Sequence, residues 1–152
     1  MQELLQITKR KLNPSEFAKV FFDFEPYPYQ MKALDCTDRK VMLNWGRQTG
    51  KSTVTAINSL YHSLMNDDQT CVILAPKQQQ ATRLFKRVTN LLNVSNRKFP
   101  ELDLLSHIER ETQRIKEFST GRSIECLTIG DDGSNIRGIT AHRQDIDEVA
   151  QI

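Results

Sequence analysis

No stretch of this chain approaches the roughly twenty consecutive apolar residues that cross a bilayer. Its start, Met1-Gln2-Glu3-Leu4-Leu5-Gln6, carries an early acid and lacks the apolar core of a secretory leader. These two absences read as a soluble, intracellular chain with no membrane partner. Cysteine is scarce: Cys36, Cys71 and Cys126 are odd in number, scattered and without a C-x-x-C pair. That argues against a disulfide framework or a cysteine zinc site and for a reducing cytoplasm. His62, His107 and His142 have no ligand-like spacing and read as ordinary polar histidines. Neither sign of charge dominates. A net charge of +2 makes no global electrostatic case for nucleic acid, and equally does not exclude a protein that grips and releases it in cycles. Internal repeats and low-complexity tracts are also missing.

What remains is a chain of 152 residues, the size of one domain and long enough to bury a core. The first segment, Gln2 to Leu12, reads as a short amphipathic helix and Ser15 to Phe21 as a second. Pro26 and Pro28 force extended geometry before a third helix over Tyr29 to Asp35. The period then changes. Lys40 to Asn44 reads as a short apolar strand, Lys51 to Met65 as a helix, Thr70 to Ala75 as a buried strand and Gln78 to Leu92 as a helix. This alternation implies βαβ units and a parallel sheet. Asn93 to Glu111 carries no clear period. Ile115–Phe118 and Ser123–Ile129 read as a hairpin across Ser119-Thr120-Gly121-Arg122.

The richest segment is Trp45-Gly46-Arg47-Gln48-Thr49-Gly50-Lys51-Ser52-Thr53, set between the expected strand and helix. A turn ending in Gly-Lys-Ser at a helix start is the chemistry of a phosphate cradle, with backbone N–H groups aimed at the anion. Lys51 would reach the β- and γ-phosphates of a nucleoside triphosphate such as ATP, and the Ser52 hydroxyl would hold Mg²⁺. The spacing departs from G-x-x-x-x-G-K-[ST]: Trp45 stands where the first glycine belongs, and Gly46 comes one place late. The bland alternative is a flexible turn holding a chance Gly-Lys-Ser.

A cradle needs acids. Asp147-Glu148 lies 96 residues beyond Lys51, far enough for a neighbouring strand to return to the same sheet end. Asp147 would hold Mg²⁺ through water, and Glu148 would polarise the attacking water. The residues before the pair, His142 to Ile146, are more polar than a central strand should be. Arg47, inside the cradle, is placed to donate to the γ-phosphate in the transition state. Gln30 offers a donor and an acceptor suited to an adenine edge, and Tyr29 or Tyr27 a face for the base. An aromatic-packed turn explains those three equally well.

Taken together these residues resemble the N-terminal ATPase part of the viral terminase large subunit, from tailed bacteriophages and related archaeal viruses. The resemblance is carried by Pro28-Tyr29-Gln30, by Gly46 to Ser52 with its late glycine and internal arginine, by Leu74-Ala75-Pro76 with Gln78 to Ala81, by Glu117 to Ile124, by Ser134 to Gly138, and by Asp147 to Ala150. It implies an α/β P-loop NTPase fold: a mainly parallel central sheet flanked by helices, a strand added between phosphate loop and acid, and a β-hairpin insertion. It implies catalytic roles for Glu148, Arg47 and Lys51, nucleotide contacts from Tyr29, Gln30 and Gly46 to Thr53 (Gly46, Arg47, Gln48, Thr49, Gly50, Lys51, Ser52, Thr53), and metal contacts from Ser52 and Asp147. The implied cofactors are ATP and Mg²⁺. The implied partners are double-stranded DNA, a portal protein, a small terminase subunit and like subunits in a ring, in the host cell cytoplasm. By the resemblance, a sequence that stops four residues after Glu148 is expected to lack the family's coupling motif, lid and nuclease domain. The expectation is one partial domain over 1–152, with 1–30 as a helical segment carrying the glutamine motif and 31–152 as the core. Two alternatives stand beside it: the motor domain of a helicase-like translocase, and a non-catalytic nucleotide-binding remnant or fragment.

Overall fold

The computed structural model describes residues 12–66, 70–102, 105, 108–112, 115–118, 121–129 and 140–147. The expected helix over Gln2 to Leu12 falls almost wholly outside them. Helix α1 (Pro14–Phe22) begins at a full capping box: the Asn13 side chain accepts from the Glu16 N–H at 2.8 Å, and Glu16 accepts from the Asn13 N–H at 3.1 Å. It ends at Asp23, whose φ of 50° is left-handed. Helix α2 (Pro28–Leu34) starts on a proline, which lacks only an N–H that the first turn does not use.

Helix α3 (Lys51–Met65) and strand β1 (Thr70–Ala75) match the sequence pattern. Helix α4 (Gln78–Lys98) runs beyond Leu92, because no glycine or proline interrupts it before Pro100, where a 3₁₀ turn (Pro100–Leu102) follows. Strands β2 (Ile108–Glu111), β3 (Ile115–Phe118), β4 (Ser123–Thr128) and β5 (Arg143–Ile146) complete the described elements. The sheet order is β2-β3-β4-β1-β5. Strands β4, β1 and β5 are parallel, while β2 and β3 extend the sheet antiparallel beside β4. The expected hairpin is therefore β3–β4, and β2, from the stretch without a clear period, adds a strand to it.

The core lies between the sheet and the helices. Cys71 and Ile73 of β1 sit in register with Ile124 and Cys126 of β4 on one face, and all four are fully buried. Phe17, Phe21, Val54, Ile57, Leu60, Leu84 and Val88 from α1, α3 and α4 close over them. Burial of each such side chain contributes about 1.5–3 kcal/mol before entropy is counted. No described helix is long and apolar enough to cross a membrane.

One expectation is corrected. The segment expected as a strand over Lys40 to Asn44 forms no ladder with any described strand. Leu43 and Trp45 turn toward the core, whereas Met42 is 84% exposed. An apolar run alone does not make a strand, which needs a partner for its N–H and C=O groups.

Candidate functional site: a glycine-bearing loop at the start of α3

The loop from Trp45 to Gly50 delivers the chain into α3. Gly50 is the residue before the helix, with φ 84° and ψ 15°, a left-handed conformation that costs other L residues about 1–2 kcal/mol. Its main-chain oxygen accepts from the N–H groups of Thr53 and Val54, both at 3.0 Å. The N–H groups of Lys51 and Ser52 precede the first helical bond and, like those of any first turn, are free for an anion. Gln48 is also left-handed, at φ 60°, which folds the loop tip back on itself.

The Lys51 amine donates to the Trp45 oxygen at 2.5 Å and the Gly46 oxygen at 3.0 Å. The Thr49 hydroxyl donates to the same Gly46 oxygen at 2.8 Å. The ammonium thus lies across the loop and bridges its two ends. Arg47 is exposed at the tip and, among the described residues, has no hydrogen-bond or ion-pair partner. Ser52 is half-buried next to Lys51. Thr53 accepts a hydrogen bond from Arg87 of α4, which brings a second cation to this helix end.

Helix α2 clamps the loop from outside. Gln30, only 3% exposed, donates from Nε2 to the Thr49 oxygen at 2.9 Å and accepts at Oε1 from the Tyr27 N–H at 2.9 Å. The Tyr29 hydroxyl donates to the same Thr49 oxygen at 3.2 Å. The Tyr29 ring meets Trp45 edge-on at 4.9 Å and stacks on Tyr27 at 5.9 Å with an interplanar angle of 7°. Both amide ends of Gln30 are thus engaged by the protein, so here it positions the loop. One N–H remains for another acceptor. The two exposed tyrosines form a flat aromatic surface beside the loop.

Asp147 directly follows β5, and its N–H donates to the Leu74 oxygen at 2.9 Å. It therefore sits at the carboxyl end of the parallel strands, where α/β sheets bind ligands. Glu148 lies outside the described residues, as does the 134–138 run. The polar composition of β5 has a local cause. Arg143 and Asp145, two residues apart on one face, form a two-pronged pair at 2.9 Å and 2.9 Å, and Ser59 of α3 donates to Asp145 at 2.8 Å. Nothing in the sequence pattern singled out Asp145, Ser59 or Arg87. Gln30 was singled out for a ligand, and its grip on the loop became visible only in the fold. His62, beside this pair, has its pKa lowered first by burial and then by the Arg143 charge.

No group of three or more His, Cys, Asp or Glu among the described residues could by itself hold a metal ion. The cysteines are unpaired. The donor set at the loop instead suits a phosphorylated ligand carrying its own cation: helix N–H groups, an ammonium, a serine hydroxyl, and a carboxylate at the strand end.

Comparison with known proteins bears on this reading. The family described as "Terminase large subunit, T4likevirus-type, N-terminal" matches residues 42–152. Among solved structures, the "Thermus Phage P74-26 Large Terminase ATPase domain" superposes with a TM-score of 0.72 at 20% identity. That match covers 93% of this chain and 61% of the solved chain, so this chain spans less than two thirds of that domain. No curated protein sequence matches.

Proposed function

This chain belongs to the terminase large-subunit family, in its T4likevirus-type N-terminal part, and from that premise we propose that it binds Mg·ATP at the Trp45–Thr53 loop as part of a DNA-packaging ATPase. The observation that carries the proposal is the clamped loop: left-handed Gly50, the Lys51 ammonium across the loop mouth, and Gln30 holding Thr49 from behind. A resting loop of this kind is preorganised, so little ordering cost falls on the ligand.

Each residue then has a defined task. Lys51 exchanges the Trp45 and Gly46 oxygens for β- and γ-phosphate oxygens. The first-turn N–H groups of α3 would hold the phosphates, and Arg87 donates to Thr53 at the same helix end. The Ser52 hydroxyl would hold the metal ion, and Asp147 would hold it through water. Glu148 takes the proton of the attacking water, and Arg47 donates to the γ-phosphoryl oxygens as charge builds there. Tyr29 or Tyr27 would offer its face to adenine, and the remaining Gln30 N–H would serve its edge. Bound Mg·ATP supplies the scissile phosphoanhydride and the metal charge. In the longer assembly, hydrolysis would drive double-stranded DNA through a ring of like subunits seated on a portal and fed by a small terminase subunit. The family match favours this over a helicase-like translocase.

The test is calorimetry and steady-state turnover on the purified chain. Binding of Mg·ATP that Lys51→Ala abolishes, with turnover that Glu148→Gln abolishes, supports the proposal. Failure to bind Mg·ATP, or to change melting temperature with it, defeats it. Binding without turnover supports a second reading, a nucleotide-binding form without catalysis. One observation favours that reading: the segment feeding the loop has no strand beside it among the described residues.

A further inference from the structure

Helix α4 carries five cations, Arg83, Lys86, Arg87, Arg97 and Lys98, and no acid in its 21 residues. The whole chain has 21 Lys and Arg against 19 Asp and Glu, so outside α4 sixteen cations stand against nineteen acids. The near-neutral total thus hides a positive helix on a negative remainder. Arg83, Lys86, Arg87, Asn90, Asn93 and Arg97 are all exposed and recur every three or four residues, which sets them in one stripe. From Arg83 to Arg97 the stripe is about 21 Å long.

Three features of the stripe define what it fits. An ordinary solvated helix face alternates its signs, so that pairs three and four residues apart support the helix. Here Arg83 stands at those spacings from Lys86 and Arg87, which works against the helix. Among the described residues Lys98 pairs with Asp23 and Arg87 donates to Thr53, while Arg83, Lys86 and Arg97 have no hydrogen-bond or ion-pair partner. Next, no aromatic or aliphatic residue of α4 is exposed, so the stripe offers nothing to stack on a splayed base or to enter a lipid surface. Last, a cavity of about 570 Å³ lined by Asn90, Asn93, Asn96 and Arg97 opens on it, which sets neutral amide donors beside a guanidinium. The Asn96 Oδ1 is buried there without a hydrogen-bond partner, so the occupant is polar and hydrated.

From these we infer that the exposed face of α4 is a contact surface for the phosphodiester backbone of double-stranded DNA. Arg83, Lys86 and Arg97 each meet a phosphate, and the Asn90 and Asn93 amides donate to phosphate oxygens between them. At 3.4 Å per base pair the stripe runs past about six base pairs. Contacts of this kind fix position and carry no sequence information. Three free cations on an otherwise acidic chain also make a grip that is readily released, since one face attracts the duplex and the remainder repels it. The choice of polyanion rests on the packaging role proposed above. The stripe itself lies outside the Trp45–Thr53 loop, and its binding is read without nucleotide, so a loop that fails to take Mg·ATP leaves the result standing.

The probe is a labelled DNA duplex of mixed sequence and about twenty base pairs, some three times the length of the stripe. Fluorescence anisotropy follows its titration with the whole chain at several salt concentrations. Arg83→Ala, Lys86→Ala and Arg97→Ala together should weaken binding at least tenfold and flatten the log–log salt dependence by about three, close to one for each lost phosphate contact. Lys32→Ala, Arg39→Ala and Lys40→Ala together remove the same charge from another exposed region. That control should leave the slope unchanged and the affinity within about twofold. In the wild-type chain the duplex should slow acetylation of Lys86 at least threefold and leave Lys32 and Lys40 as they were, a readout that needs no variant. Equal losses in the two triple variants, an unprotected Lys86, or tighter binding to the single strand than to the duplex overturns the inference. So does the absence of duplex binding up to about 100 µM protein at low salt.

Discussion

The Gln30 side-chain nitrogen stands 2.6 Å from the point where a Cβ on Gly50 would fall, while it donates to the Thr49 oxygen at 2.9 Å. Helix α2 and the loop before α3 are therefore one mechanical unit. The glycine is required twice, once for its left-handed φ and once for the space that Gln30 occupies.

Gly50→Ala should therefore lose more than a flexible-loop glycine would. The left-handed backbone alone costs about 1–2 kcal/mol, and the contact must push Gln30 off Thr49. We expect a lower melting temperature and at least tenfold weaker Mg·ATP binding. Adding Gln30→Ala should relieve the clash and leave the backbone cost. Equal stability of Gly50→Ala and the wild-type protein in thermal melts would remove this account.

Lys51→Ala separates binding from folding. The amine bonds only to carbonyls of its own exposed loop, so stability without ligand should change by less than about 1 kcal/mol. Nucleotide affinity should fall at least tenfold, since hydrogen bonds from a charged donor contribute about 1.5–3 kcal/mol. Ser52→Ala should make the remaining affinity insensitive to magnesium chelation. Calorimetry with and without chelator reads both effects.

Asp145→Ala should destabilise the chain by about 1–3 kcal/mol, because it leaves the Arg143 guanidinium and the Ser59 hydroxyl without their shared acceptor. Asp145→Asn should cost less, since it keeps an acceptor for Ser59. Urea titration would show the order Ala below Asn below wild type. The reverse order would mean that the pair adds no stability.

Burial pushes the Cys71 thiol up to about 11 and the Cys126 thiol up to about 12, from an ordinary 9.0. In the pH range between, the native state holds protons that the unfolded chain has lost. The contribution of each thiol is thus complete below pH 9 and falls as pH rises towards 11 and 12, by about 1.4 kcal/mol per unit and per thiol. Cys71→Ser would confound this with a buried hydroxyl, so Cys71→Ala and Cys126→Ala are the comparison: both should flatten the alkaline loss in a pH series of denaturant melts. At pH 8 a thiol reagent should label Cys36, which is half-buried, well before the other two.

The elements with an unbroken period were legible from sequence. Lys51–Met65 and Thr70–Ala75 agree with the pattern because their apolar spacing, 3.6 in one and continuous in the other, has only one buried solution. Strand β2 was not legible: Ile108–Glu111 reads Ile-Glu-Arg-Glu, with one apolar residue to mark a face. The Lys40–Asn44 expectation shows the reverse failure. The apolar run Val41-Met42-Leu43 suggests a strand, but a ladder needs a neighbour, and among the described residues the run has none.

Sequence alone determined that a glycine-bearing loop opens a helix at Lys51, since Gly50 ends an irregular stretch and the helical period starts directly after it, and it determined the alternation of helix and parallel strand from Lys51 onward, since strand and helix periods alternate. Only the tertiary structure decided that Gln30 turns inward to hold Thr49, that Arg143 and Asp145 satisfy each other on a polar strand, and that β5 and Val41–Asn44 stand apart with a cavity between them. These are contacts across 19 residues, across one strand face, and across the sheet. A local pattern encodes which face of an element is buried; it does not encode what stands opposite that face.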